Sequence, residues 1–206
     1  MPQALVNDLK TNLPDVQLNN HYGPTETTID ALVLQNVKQG DEILIGKGLN
    51  STPVYVLNET DKLQPVGVVG EICIGGSGVA RGYLNRKELT QQQFVKLSAF
   101  GGDRVYKTGD LGYWTPYGKL AFCGRMDDQV KIRGYRIELG EIEAALIKLV
   151  EVENAIVLSV ATSDEINELV AYLQTDASID LIGLKNSLKG TLPEYMIPSS
   201  YCILDK

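Results

Sequence analysis

Gly124-Arg-Met-Asp-Asp-Gln-Val-Lys-Ile-Arg-Gly-Tyr-Arg-Ile-Glu-Leu-Gly-Glu-Ile-Glu143 changes its periodicity part-way along and so decides how the chain divides. Val130 and Ile132 alternate with polar neighbours, which predicts a strand. From Leu139 the period becomes helical. Leu139, Ile142, Leu146 and Leu149 share one face, and Glu141 and Glu143 fall in the first turn, where the helix dipole favours anions. Arg125, Lys131, Arg133 and Arg136 stand against Asp127 and Asp128. A basic, glycine-flanked strand running into a helix suits an anionic ligand held beside a joint near Asp127. The same residues fit a solvated β-hairpin with surface arginines equally well.

Working outward, residues 30 to about 123 read as short strands and turns. The strands are predicted at Ala31–Leu34, Glu42–Gly46, Val54–Leu57, Val66–Val69, Glu71–Ile74, Arg104–Tyr106 and Lys119–Phe122. Their regular turn spacing points to a β-barrel or sandwich. One helix interrupts them, Asn85 to about Leu97, with Asn85 and Glu88 placed as a capping box. Upstream, Leu5, Leu9 and Leu13 keep helical spacing, and Pro14-Asp15 ends that helix before a strand through Val16, Leu18 and His21-Tyr22. A helix and one strand cannot close a core, so this part is expected to pack on further sequence. Downstream, Ala155–Ala161 and Glu168–Leu173 read as strands. Leu181, Leu184 and Leu188 mark a helix, with Lys185 and Lys189 in its last turn and Gly190 as its cap. Leu192–Pro198 is a rigid two-proline connector to a last strand, Ser200–Leu204. The class is α+β: a β-barrel subdomain over 1–126, then a small α/β domain over 127–206.

Net charge −7 argues against a general nucleic-acid or membrane-surface role, so an anionic ligand must be met by local cations. Cys73, Cys123 and Cys202 are far apart with no CxxC or Cys/His pair, and read as buried reduced thiols of a cytoplasmic protein. No apolar run approaches the ~20 residues of a membrane helix.

Two further stretches can carry chemistry. Asn20-His-Tyr-Gly-Pro-Thr-Glu-Thr-Thr28 is a tight turn at a strand end. It presents an aromatic that can stack on a planar ring, hydroxyls that can bond phosphate oxygens, and a carboxylate that can hold Mg²⁺. Tyr106-Lys-Thr-Gly-Asp-Leu111 reads as a Gly-Asp turn exposing one carboxylate suited to vicinal hydroxyls such as those of ribose. Each also reads as an ordinary turn. Gly76-Ser-Gly-Val-Ala-Arg-Gly82 has the spacing G-x-G-x-x-x-G, one residue too long for a dinucleotide fingerprint, and no long amphipathic helix follows. Its glycines instead imply close backbone approach, with Arg81 as an ion-pair candidate.

In chain order, Tyr22–Glu26, Gly70–Leu84, Tyr106–Asp110, Gly124–Glu143 and Leu192–Pro198 resemble the later core motifs of the adenylation domains of nonribosomal peptide synthetases. The resemblance covers nearly the whole chain. It implies activation of an amino acid by ATP and Mg²⁺, then transfer of the acyl group to the phosphopantetheine thiol of a peptidyl carrier domain beside other synthetase domains. Matched motif by motif, it implies that Tyr22 stacks on adenine with Gly23 beside it, Thr25 contacts the α-phosphate and Glu26 holds Mg²⁺. Asp110 would bind the ribose hydroxyls, and Arg125 ribose or phosphate, making Thr25, Glu26 and Arg125 the catalytic candidates. His21, Ile29 and Asp30 would line the amino-acid pocket, an Asp30 there favouring a polar or cationic substrate side chain. Asp127 would be the hinge of a mobile lid, with Gly134 and Arg136 on the loop facing the pantetheine.

The family's phosphate loop, its amine-binding aspartate and its catalytic lysine have no counterpart in these residues. The chain is therefore expected to be the C-terminal part of such a domain, stopping before the lysine motif and inactive by itself. Two other readings stand beside it, a fragment of an acyl- or aryl-acid ligase and a non-catalytic module that docks a carrier protein.

Overall fold

Helix α1 (Gln3–Asn12) turns only Val6 fully inward, with Leu9 half-buried, while Leu5 and Leu13 stay exposed. Within this chain Val6 meets Leu18, Leu34, Val37 and Leu44, and the Leu5/Leu13 side is the one expected to pack on further sequence. These relations come from a computed structural model that describes residues 1–97, 102–132, 134–149, 152–161, 167–175 and 180–204. Arg133, one of the four cations named above, lies outside them. The chain falls into two compact units, Met1–Met126 and Asp127–Lys206.

In the first unit β1 (Asn20–Tyr22), β2 (Leu32–Leu34) and β3 (Lys47–Gly48) form an antiparallel sheet. A second sheet runs β4 (Val54–Leu57), β5 (Gly70–Gly75), β7 (Arg104–Trp114), with β6 (Phe94–Lys96) and β8 (Leu120–Arg125) both paired to the long β7. The Gly46–Leu120 bridge ties the two sheets together. Between them lie Ala31, Leu32, Val56, Ile72, Ile74 and Leu120, all buried. The valine, leucine and isoleucine side chains among them contribute about 1.5–3 kcal/mol each when fully buried. The curl brings the end of β1, the middle of β7 and the end of β8 together.

Several expected elements differ. Val66–Val69 is an exposed turn, since Pro65 precedes it and Gly67 takes φ +83°. Residues 42–45 run without a ladder, although Leu44 and Ile45 are both buried. Helix α2 is shorter than expected (Lys87–Gln93), and Asn85 sits at φ +57°, so its side chain does not cap the helix. Phe94–Lys96 breaks away as β6 because Phe94 has a pocket against Tyr83 and Tyr106.

The second unit starts with the hairpin β9 (Val130–Ile132) and β10 (Tyr135–Ile137), turned by Gly134 at φ +83°. Helix α3 (Leu139–Ile147) buries Leu139, Ile142 and Leu146, the face read from the sequence. Strands β11 (Asn154–Ala161) and β12 (Asn167–Gln174) pair antiparallel, and β13 (Ser200–Leu204) joins β12 in parallel. Helix α4 (Leu181–Lys189) packs Leu184 and Leu188 on this sheet. Its N-terminus is capped by Asp180, whose carboxylate accepts from the Ile182 amide, while Gly190 stays right-handed at φ −75° rather than forming a left-handed cap. The two-proline connector inserts Leu192 and Met196 into the core, and its Tyr195 stacks on Tyr135 at 4.1 Å. The α+β class holds, with a β-rich first part and an α/β second part. Of the cysteines only Cys73 is buried; Cys123 and Cys202 are exposed.

Candidate functional site

Gly23-Pro24 ends β1 and starts a single 3₁₀ turn, Thr25–Thr27. Thr28 and Ile29 then take φ +64° and +72°, a conformation unusual for a β-branched residue. This folds the chain back, so that the Ala31 amide donates to Tyr22 O at 2.9 Å. A Cβ on Gly23 would lie 2.3 Å from Ile29 O and 2.7 Å from Ala31 N, so only glycine fits there. The turn is rigid and holds Thr25 exposed with Glu26 half-buried behind it.

Asp110 is not on a turn, as the sequence suggested, but buried inside β7, where residues 108–110 bulge as the β5–β7 register shifts between Glu71 and Cys73. Gly109 at φ +71° makes the irregularity possible. The Gly109 amide donates to Glu71 Oε1 at 3.0 Å, and the Asp110 amide to Thr108 Oγ1 at 3.0 Å. Lys107 in turn bridges Asp61 at 2.9 Å and Glu71 at 3.4 Å. Burial alone would lower the Lys107 pKa, but its hydrogen bond to Asp61 and the charge of Glu71 outweigh that and the net shift is upward.

The Asp110 carboxylate receives two side chains. Arg125 Nη1 donates to Oδ1 at 2.6 Å, and the Tyr22 hydroxyl donates to Oδ2. Burial, then the charge of Asp110, pushes the Tyr22 phenol well above its ordinary value, so it remains a donor. Arg125 also reaches Thr108 O at 3.2 Å. Tyr22, Asp110 and Arg125 are thus one hydrogen-bonded group, with the exposed Phe122 ring 6.4 Å from that of Tyr22. A planar face, a fixed carboxylate and a guanidinium are the donor set for a nucleoside with an anionic group.

A profile for a family described as "AMP-binding enzyme" matches residues 1–84. Gramicidin S synthase 2 of Aneurinibacillus migulanus is 42% identical over 205 residues, spanning 100% of this chain and 5% of that protein. The structure of PA1221, "an NRPS protein containing adenylation and PCP domains", superposes with TM-score 0.84 at 28% identity, over 100% of this chain and 42% of that one. Over its whole length the chain is thus similar to nonribosomal peptide synthetases, and its fold is that of their adenylation domains. The structure of holo-AB3403, "a four domain nonribosomal peptide synthetase bound to AMP and Glycine", is 41% identical with TM-score 0.58, over 100% of this chain and 15% of that one. The chain therefore spans a small part of the synthetases it matches.

The remaining site residues fall into separate groups. Glu26 Oε1 accepts from the Tyr83 hydroxyl at 2.7 Å, and Tyr83 lies 3.3 Å from the Tyr106 hydroxyl. His21 pairs with Asp30 at 3.1 Å, both half-exposed, and Ile29 is 74% exposed. Asp30 already has a partner in His21, so the cost of burying an unpartnered aspartate no longer argues for a polar or cationic substrate. In the second unit Arg136 Nε donates to Gln129 Oε1 at 2.6 Å, Gln129 donates to Glu138, and the Gln129 amide donates to Asp127 Oδ1 at 3.2 Å. No group of three or more His, Cys, Asp or Glu able to hold a metal exists among the described residues, nor does any helix there long and apolar enough to cross a membrane. Glu26 alone fits a Mg²⁺ that takes most of its ligands from phosphate and water.

Sequence reading missed Tyr83, Thr108, Glu71 and Phe122. Phe122 carried a signal, a large aromatic one position beyond the buried Leu120-Ala121 pair. The others become visible only once the sheet curls.

Proposed function

We propose that this chain supplies the nucleotide-facing wall and the lid of an amino-acid-activating adenylation domain in a larger synthetase. In this reading residues 1–126 are the C-terminal part of the large subdomain and 127–206 the lid. The amino-acid carboxylate displaces pyrophosphate from ATP, giving an aminoacyl-adenylate. The phosphopantetheine thiol of a peptidyl carrier domain then takes the acyl group and releases AMP.

The observation that carries the reading is the Asp110 carboxylate held between Arg125 and Tyr22, beside the Gly23 turn. Asp110 accepts the ribose hydroxyls, Tyr22 and Gly23 offer the adenine a flat wall, and Arg125 reaches ribose or phosphate. Thr25 donates to the α-phosphate. Glu26 is the residue that would hold Mg²⁺, which when bound neutralises phosphate charge. His21, Ile29 and Asp30 lie on the amino-acid side. Asp127 is the hinge, and Gly134 and Arg136 face the pantetheine. The rate comes from position and charge neutralisation, with no covalent enzyme intermediate.

Amino-acid-dependent ATP–pyrophosphate exchange by the synthetase that carries this chain tests the reading. Asp110→Ala is expected to raise the KM for ATP about tenfold or more, the size of lost hydrogen bonds to a charged group. Carrier-protein binding with no nucleotide binding would instead make the chain a docking module.

A further inference from the structure

The glycine-rich segment Gly76–Gly82 is used by none of the chemistry above, yet its contacts converge on one turn, Glu26–Thr28. The Ala80 amide donates to Glu26 O at 2.8 Å, and Thr28 Oγ1 donates to Gly78 O at 2.7 Å. A Cβ on Gly78 would come within 2.9 Å of Thr27 O, so the two backbones are pressed together. Tyr83, the next residue along, reaches the Glu26 carboxylate itself at 2.7 Å.

The segment is fixed in its turn from the other side. Arg104 Nη1 and Nη2 donate to Ala80 O at 2.6 Å and Arg81 O at 2.7 Å, while the guanidinium lies 4.6 Å above the Phe94 ring. Phe94 meets the Tyr83 ring edge-on at 5.4 Å and Tyr106 at 5.0 Å. The Tyr83 amide is held by Thr90 Oγ1 at 2.9 Å. Ring, backbone and hydroxyl of Tyr83 are all constrained, and of its two hydroxyl contacts the shorter is the one to the Glu26 carboxylate.

Glu26 needs such support. It sits on a three-residue 3₁₀ turn followed by two left-handed residues, and a Glu side chain has three torsions to fix. We propose that Tyr83 is the positioning residue of the Glu26 carboxylate, and that the Gly78–Tyr83 segment is a clamp on the 24–28 turn rather than a ligand loop. The proposal rests on the role given to Glu26 above. Tyr83 restricts where the carboxylate points, so its loss scatters the carboxylate and spares the Tyr22–Asp110–Arg125 group.

Tyr83→Phe removes only the hydroxyl and keeps the ring on Phe94. In the synthetase carrying this chain, Tyr83→Phe, Glu26→Gln and the double variant are titrated with Mn²⁺·ATP, followed by Mn²⁺ electron paramagnetic resonance, and with AMP in the absence of metal, followed by calorimetry. Tyr83→Phe is expected to weaken Mn²⁺·ATP about tenfold, the effect of one hydrogen bond to a charged group, and to leave metal-free AMP unchanged. In the Glu26→Gln background it is expected to add no further loss, because the two residues act as one. Equal weakening of AMP and Mn²⁺·ATP, or a full additional loss in the double variant, overturns the proposal and makes Tyr83 part of the scaffold only. Wild-type protein that binds neither probe overturns the nucleotide reading and this proposal together, whereas normal wild-type binding with an unaltered Tyr83→Phe overturns the positioning role alone.

Discussion

Asp110 and Arg125 are direct partners across the β7–β8 ladder, and their side chains close the same gap at 2.6 Å. Both are largely shielded, with side chains 11% and 16% exposed. The backbone register therefore sets an ion pair at the point where the sheet curls against the Gly23 turn. Tyr22 adds its hydroxyl to the other carboxylate oxygen, from a strand 88 positions away in sequence. Each carboxylate oxygen retains a second lone-pair direction after these bonds, so Asp110 is oriented by the protein without being used up by it.

Removing one partner of that pair leaves the other charge largely buried. Asp110→Asn is expected to lower the unfolding free energy of the first unit by about 3 kcal/mol, the usual cost of breaking a shielded pair from one side. Urea denaturation of wild type and variant measures it. A loss below about 1 kcal/mol would place the pair among surface salt bridges.

At Gly23 the backbone of Ile29 and Ala31 occupies the space a methyl would need, 2.3 and 2.7 Å away. Gly23→Ala must push the left-handed Thr28–Ile29 pair outward. The expected cost is about 1–3 kcal/mol, as for overpacked sites, together with loss of AMP binding through displaced Tyr22. A variant that folds and binds AMP like wild type would show that the turn tolerates the shift and that its rigidity is irrelevant to the ligand.

Alkaline pH gives a signed prediction. Tyr22, Tyr83 and Tyr201 are all raised from 10.0, the last to about 12, and Lys107 is raised from 10.5. A group whose folded pKa lies above its unfolded value contributes stability that is fully present below the unfolded pKa and is lost as pH rises through the folded one. Stability is therefore expected to be insensitive to these groups up to about pH 9 and to fall from about pH 10 upward. Tyr201 separates from the rest because its buried hydroxyl has no hydrogen-bond partner among the described residues. Tyr201→Phe is expected to stabilise the second unit by about 1 kcal/mol at neutral pH, as removal of an unsatisfied polar atom does, and to reduce the alkaline loss. A less stable Tyr201→Phe at neutral pH would mean the hydroxyl has found a partner.

What the sequence disclosed was local. The α3 face, the Gly134 turn and the strands β11 and β12 follow from periodicity and glycine placement within a few residues. The chemistry of Tyr22–Glu26 and Asp110 was also visible as residue types, but not their surroundings. Thr108-Gly109-Asp110 looked like a turn because Gly-Asp usually is one; the ladder to β5 and β8 overrides that preference and leaves only a bulge. Val66–Val69 looked like a strand because valine favours one, yet Gly67 at positive φ turns it. Glu26 with Tyr83 and Asp30 with His21 escaped notice because long-range packing or turn geometry, not spacing, brings them together.

The boundary between the two compact units falls at Met126–Asp127, immediately after β8 delivers Arg125 to Asp110. Arg125 is tied to the first unit, as is the next residue, whose amide donates to Gly109 O at 2.8 Å. Asp127 makes the next contact forward, accepting from the Gln129 amide at 3.2 Å. If the second unit is a lid that turns between two poses, the torsion change must be taken up between these anchors, and Asp127 is the residue available. Asp127→Pro fixes φ near −65°, so in the intact synthetase it is expected to retain either ATP–pyrophosphate exchange or carrier thioester formation and to lose the other. Asp127→Ala, which keeps the torsion free, is expected to retain both and so separates backbone rigidity from loss of the carboxylate. Parallel exchange and carrier-loading assays decide the matter, and an Asp127→Pro variant running both half-reactions at wild-type rates would move the hinge elsewhere.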